Sequence, residues 1–100
     1  SYSFSIFIRP TVINRGTIIH VSAQPTGFNG WCIPMLGFTS SGLITTQSWT
    51  PSGTLNINGP AVTPNVWTHV AVTYSLTNGL RLYVNGTQVG GNTGGYTYAA

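Results

Sequence analysis

The chain contains no aspartate, no glutamate and no lysine. A soluble domain is ordinarily about one quarter charged, so roughly a dozen acids would be expected in a hundred residues. The whole formal charge is Arg9, Arg15 and Arg81. Chemistry that runs through carboxylates is therefore closed to this chain acting alone. It has no acid pair to cleave a glycosidic bond, no acid to orient a catalytic histidine and no anionic oxygen cage for calcium. The expectation is a protein that is not an enzyme, holds no metal and uses no cofactor.

Other absences narrow the field further. No apolar run approaches the roughly 20 residues of a membrane helix, so no membrane insertion is expected. The opening residues, Ser1 to Arg9, alternate in polarity where a signal peptide would form an apolar block. The three cations are far apart in sequence, and a phosphate-binding surface needs clustered ones. The basic pI near 9.5 reflects missing acids, and no nucleic acid is expected as partner. A single cysteine, Cys32, rules out an intrachain disulfide. It packs as a small hydrophobe or forms an intermolecular disulfide with a partner outside these residues. As a catalytic thiolate it would have only His20 and His69 as bases, with no acid to orient either. Two histidines are also too few to hold a zinc ion.

What is present is a hydroxyl- and amide-rich chain of 100 residues: 9 Ser, 15 Thr, 8 Asn and 3 Gln beside 41% apolar residues. That suits one domain with a real core. The hydrophobic period is two almost throughout, and no segment has a helical period. Tyr2, Phe4, Ile6 and Ile8 alternate with Ser3, Ser5, Phe7 and Arg9 up to Pro10. Thr17 to Ser22 follows the turn Asn14-Arg15-Gly16. Trp31 to Thr39 is apolar enough on both faces to be a central strand. Ser40-Ser41-Gly42 turns into Leu43 to Trp49, and Pro51-Ser52-Gly53 into Thr54 to Asn58. Gly59-Pro60 and Pro64-Asn65 are read as punctuating the next connection.

The clearest hairpin runs from Val66 to Val89. Val66, Val70, Val72 and Tyr74 mark one apolar face, and Leu80, Leu82 and Val84 the next, after the turn Thr77-Asn78-Gly79. Asn85-Gly86 predicts a type I′ turn, since both central positions want positive φ. Trp67, Val70, Val72, Leu80, Leu82 and Val84 are the expected core hairpin. Arg81, alternating with Leu80 and Leu82, is expected on a solvated strand face. Short strands at regular spacing with Gly, Pro and Asn turns predict an all-β protein, a sandwich or barrel.

Candidate binding residues are few. Trp49, just before a turn, and Trp31 are the candidates for carbohydrate stacking, while Trp67 is assigned to the core. Asn85-Gly86-Thr87 is an N-glycosylation sequon as well as a hairpin turn, so Asn85 is a possible glycan carrier.

The stretch Trp67-Thr-His-Val-Ala-Val-Thr-Tyr74, followed by Asn78-Gly-Leu-Arg-Leu-Tyr-Val-Asn-Gly86, resembles the signature hairpin of the LamG-like jelly roll, in the concanavalin A-like lectin/glucanase superfamily. Phe4-Ser-Ile-Phe-Ile-Arg-Pro10 resembles the first core strand of that family, and Gly30-Trp-Cys-Ile-Pro-Met-Leu-Gly37 is similar to members in secreted multidomain proteins. The resemblance covers roughly residues 2 to 90. It implies an antiparallel jelly-roll-like β-sandwich at an extracellular or cell-surface location. A fold of this kind hosts lectins, adhesion modules, glucanases and spacers. The acidic motif of the glucanases and the calcium ligands of other members have no counterpart here.

The resemblance also implies a longer domain, whose final strands would pair beside the first strand and would be missing after Ala100. The leading expectation is a non-enzymatic extracellular module for adhesion or matrix contact through glycan or protein. The alternative is a structural subunit forming a homo-oligomer or filament by strand exchange, with Ser1–Arg9 or the tail Gly94–Ala100 as donor. A remnant of a glycan-active enzyme is a distant third.

Overall fold

A computed structural model describes residues 2–22, 32–50, 53–75 and 77–92. Eight strands follow in chain order: β1 (Tyr2–Ile8), β2 (Thr17–Ser22), β3 (Cys32–Phe38), β4 (Leu43–Thr50), β5 (Gly53–Ala61), β6 (Thr68–Ser75), β7 (Gly79–Val84) and β8 (Thr87–Asn92). Among the described residues there is no helix. The strands form two antiparallel four-stranded sheets, β1-β6-β7-β8 and β2-β3-β4-β5. This is an all-β sandwich, consistent with a jelly roll. The chain changes sheet after β1 and returns after β5. β3 lies inside its sheet, as its two-sided apolar pattern predicts.

Alternation decides which side chains meet between the sheets. In β1, Tyr2, Phe4 and Ile6 are half-buried and Ile8 is buried, while Ser3, Ser5 and Phe7 are exposed. In β6, Thr68, Val70, Val72 and Tyr74 are buried. Leu80 and Leu82 of β7 complete the inner face of the first sheet, with Val84 half-buried against it. They pack on Leu36, Ile44 and Ile57 of the second sheet. Leu36, Ile44, Val70, Val72, Leu80 and Leu82 have no exposed surface at all.

Two buried hydroxyls of β4 have partners. Thr46 Oγ1 donates to the Met35 carbonyl at 2.7 Å, and Thr45 Oγ1 to the Ile57 carbonyl at 3.2 Å. A buried hydroxyl so paired avoids the cost of lost hydration.

The structure departs from the sequence expectation in the strand before β6. Gly59-Pro60 does not end β5, which continues to Ala61. β5 is an edge strand, so the missing proline N–H breaks no inner ladder. The register also shifts between Leu43↔Ala61 and Thr45↔Asn58, which accommodates an extra residue opposite Ile44. Gly59 has a second reason to be glycine. A methyl placed there would lie 2.8 Å from Ile44 Cγ2, 3.0 Å from Leu82 Cδ2 and 3.1 Å from Val89 Cγ2. A methyl at Gly90, in β8, would lie 2.5 Å from Ile57 Cγ2. The two sheets approach at these positions because neither has a side chain.

The turn at Asn85-Gly86 has φ of 52° and 82°, as a type I′ turn requires. β8 extends past the expected return at Val89 to Asn92, because Gly90 and Gly91 still pair with Leu82 and Arg81.

Tyr2 and Tyr74, neighbours in register across β1 and β6, stack with ring centroids 5.3 Å apart. Tyr2 Oη and Ser48 Oγ are both buried without reaching hydrogen-bond geometry with any partner. Burial raises the Tyr2 phenol above its ordinary value of 10.0; the nearby Ser48 hydroxyl opposes the rise and Tyr74 adds to it.

Two outcomes are expected. Leu82→Ala should lower the unfolding free energy by about 2–5 kcal/mol, measured by urea denaturation, because it opens a cavity between two packed sheets. The second concerns pH. A phenol whose folded pKa is raised keeps its proton better folded than unfolded. Its contribution is whole below 10.0 and is lost as the pH rises through the folded value. Denaturant midpoints should therefore fall on the alkaline side, and Tyr2→Phe should show a smaller fall. With no side-chain carboxylates, the usual loss below about pH 5 should be nearly absent.

Candidate functional site

The two chain crossings between the sheets run side by side. Residues 9–16 follow β1, and residues 62–67 precede β6. The Asn65 N–H donates to the Pro10 carbonyl at 2.7 Å, and Arg9 Nε donates to the Asn65 carbonyl at 3.2 Å. Asn65 sits at φ 61°, a left-handed position that asparagine tolerates better than most residues. Thr68 Oγ1 closes the segment on the Val66 carbonyl at 3.4 Å. The loop ahead of β6 is thus pinned from both ends.

This bracing presents apolar side chains to solvent. Phe7 and Trp67 are each 67% exposed, and Val66 and Val12 about half. Trp67 and Val66 are therefore not part of the core, contrary to the sequence expectation. Val66 lies outside the strand. Trp67 shares the parity of His69, Ala71 and Thr73, which alternate away from the sandwich interior. The alternation of Val70, Val72 and Tyr74 contained that signal, but the habit of tryptophan to be buried outweighed it.

Phe7 pairs with His69 in register, and their rings lie 4.8 Å apart at 54°. His69 is bracketed in turn by Asn85. Its N–H donates to Asn85 Oδ1 at 3.1 Å, and its carbonyl accepts from the Asn85 N–H at 2.8 Å. Phe7, His69 and the turn at Asn85 thus come together at one end of the outer face of the first sheet, and the exposed Trp67 lies two residues before His69 in the chain. The next row on that face is Ser5, Ala71, Tyr83 and Gln88, and the row beyond is Ser3, Thr73, Arg81 and Gly91.

The arrangement suits contact with a flat, partly apolar ligand. Exposed aromatic faces cover C–H surfaces, while hydroxyls and amides nearby donate and accept. Among the described residues no group of three His, Cys, Asp or Glu that could hold a metal ion forms, and His20 lies exposed on the other sheet.

The other sequence candidates fall as follows. Val70, Val72, Leu80 and Leu82 are buried, and Val84 is half-buried. Asn85 is exposed on its turn, its side-chain oxygen engaged with His69 and its amide nitrogen being the atom a glycan would take. Arg81 is half-buried and not simply solvated. Trp31 and the tail 93–100 lie outside the described residues, as do the side chains of Trp49 and Cys32.

A family model described as the concanavalin A-like lectin/glucanases superfamily, of the laminin-G type, matches residues 1–100. No curated protein matches the chain. No solved structure matches it either.

The exposure of Trp67 has a direct consequence for stability. Trp67→Ala should shift the unfolding free energy by only about 0.5 kcal/mol, as surface substitutions do. A core tryptophan would cost about 3–5 kcal/mol. Thermal and urea unfolding of the variant beside Leu82→Ala separate the two cases.

Proposed function

The chain belongs to the concanavalin A-like lectin/glucanases superfamily, and on that footing we propose that it is a non-enzymatic extracellular module that contacts glycans. Membership in the superfamily is compatible with a carbohydrate- or protein-binding module. The observation that favours glycan is the pair of strongly exposed aromatic side chains, Phe7 against His69 and Trp67 two residues before His69, next to the braced crossings. A rigid aromatic surface loses little entropy on binding, and one sugar ring matches one aromatic face in size. Absence of every carboxylate supports a binding role over hydrolysis. Asn85, as a possible glycan carrier, belongs with the same extracellular reading.

A second reading has its own observation. Among the described residues β1 pairs only with β6, in an unbroken register of seven residues from Tyr2 to Ile8. Natural edges are guarded by lysine, proline or bulges, and this strand has none. Strand addition by a second copy, giving a homo-oligomer or filament, follows from that chemistry. A monodisperse particle of 10.6 kDa in light scattering would exclude it.

The test of the leading reading is a glycan array followed by titration of neutral oligosaccharides. Saturable quenching of tryptophan emission is expected for the parent chain. Trp67→Ala and Phe7→Ala should abolish binding with little change in melting temperature. Equal binding by Trp67→Ala, or no binding to any glycan, would sink the proposal.

A further inference from the structure

At the end of the first sheet opposite the Phe7–His69 pair, an open groove of about 510 Å³ runs beside Ser3, Thr73, Ser75, Asn78 and Arg81, with Tyr2 and Tyr74 also lining it. That volume lies within the range of small-ligand sites. The groove is built by register. Ser3 pairs with Thr73, and Thr73 with Arg81, so two hydroxyls and a guanidinium form one row across three strands. The turn leading into β7 supplies the far wall. There the Asn78 N–H donates to Ser75 Oγ at 3.0 Å, and Asn78 Oδ1 accepts from Arg81 Nη2 at 3.5 Å.

Among the described residues Arg81 is the only charged one lining this groove. Its guanidinium has five N–H donors, and among the described residues it makes the single long hydrogen bond to Asn78. In most proteins an aspartate or glutamate would neutralise such a cation. Here no side chain of the sequence can. A half-buried guanidinium, partly fixed by Asn78 and flanked by hydroxyls, has the fork geometry that planar oxyanions match.

We propose that this groove binds a single oxyanion, a carboxylate or sulfate ester, carried on a sugar. The oxyanion takes the guanidinium fork of Arg81, and Ser3 and Thr73 hydroxyls donate to its remaining oxygens. Only the sugar part of this assignment rests on the glycan-binding reading. Along β1, Ser3 and Phe7 are four residues apart, about 13 Å at roughly 3.3 Å per residue. A short acidic oligosaccharide therefore spans both ends of the face.

The test is a ¹H–¹⁵N NMR titration of the full chain with sodium glucuronate, glucose 6-sulfate, glucose and N-acetylglycine. Glucuronate and glucose 6-sulfate are expected to give saturable shifts at the Thr73 and Asn78 amides and at Arg81 Nε–H. Glucose should give none there, and added salt should weaken the acidic ligands. Arg81→Gln should lose at least about tenfold in affinity, the scale of one charged hydrogen bond, with melting unchanged. Arg81→Lys should recover only part, since an ammonium cannot form the fork.

Unchanged binding by Arg81→Gln, or equal shifts at Arg9 and Arg15, would mean an adventitious ion only and overturn the proposal. N-acetylglycine binding as tightly as glucuronate would overturn the sugar assignment in favour of a peptide carboxylate. Neutral oligosaccharides quenching Trp67 while Arg81 stays silent would sink this site and leave the aromatic platform standing.

Discussion

The sandwich depends on how closely its two sheets approach at Gly59 and Gly90. At Gly59 the methyl groups of Ile44, Leu82 and Val89 converge on a position that holds only hydrogen. At Gly90 the Ile57 methyl fills the space a side chain would take. Protein interiors are packed to the density of organic crystals, so a void or an added methyl is felt at once. Leu36, Ile44, Val70, Val72, Leu80 and Leu82 are wholly buried because this contact closes over them. Everything on the outer face is held in place by that closure.

Charge contributes almost nothing to this architecture. There are no acids to form side-chain ion pairs, and two of the buried hydroxyls, those of Thr45 and Thr46, are bonded to backbone carbonyls. The cations act differently. Arg9 ties the two crossings together through a backbone carbonyl. Arg81, whose Nη2 donates to Asn78 Oδ1, lines the open groove at the other end of the outer face. With no side-chain carboxylate in the sequence, neither guanidinium has an acidic side chain to pair with, which links the composition to the polar contacts these arginines make.

Much of the fold is legible in the sequence because alternation is a local property. The apolar residues of β1, β6 and β7 repeat every second position, and the structure buries or half-buries the inner set. Asn85-Gly86 specifies its turn through the steric freedom of two residues at positive φ. The hairpin Trp67 to Gly86 also carries the family resemblance. The strand through Gly59-Pro60 was not legible. Whether proline breaks a strand depends on whether its N–H is needed, and that depends on which strands lie beside it.

The candidate site was less legible for the same kind of reason. Sequence by itself determined the strands, the central hairpin, the superfamily and the exclusion of carboxylate chemistry, since each follows from residues near one another or from composition. Tertiary structure alone decided that Trp67 is exposed and that Phe7 lies against His69. It alone placed Ser3, Thr73 and Arg81 in one row. Those neighbours are tens of residues apart in the chain, and only the β1-β6-β7 register brings them together. A residue's parity along its strand is written locally; which other strand shares that face is not.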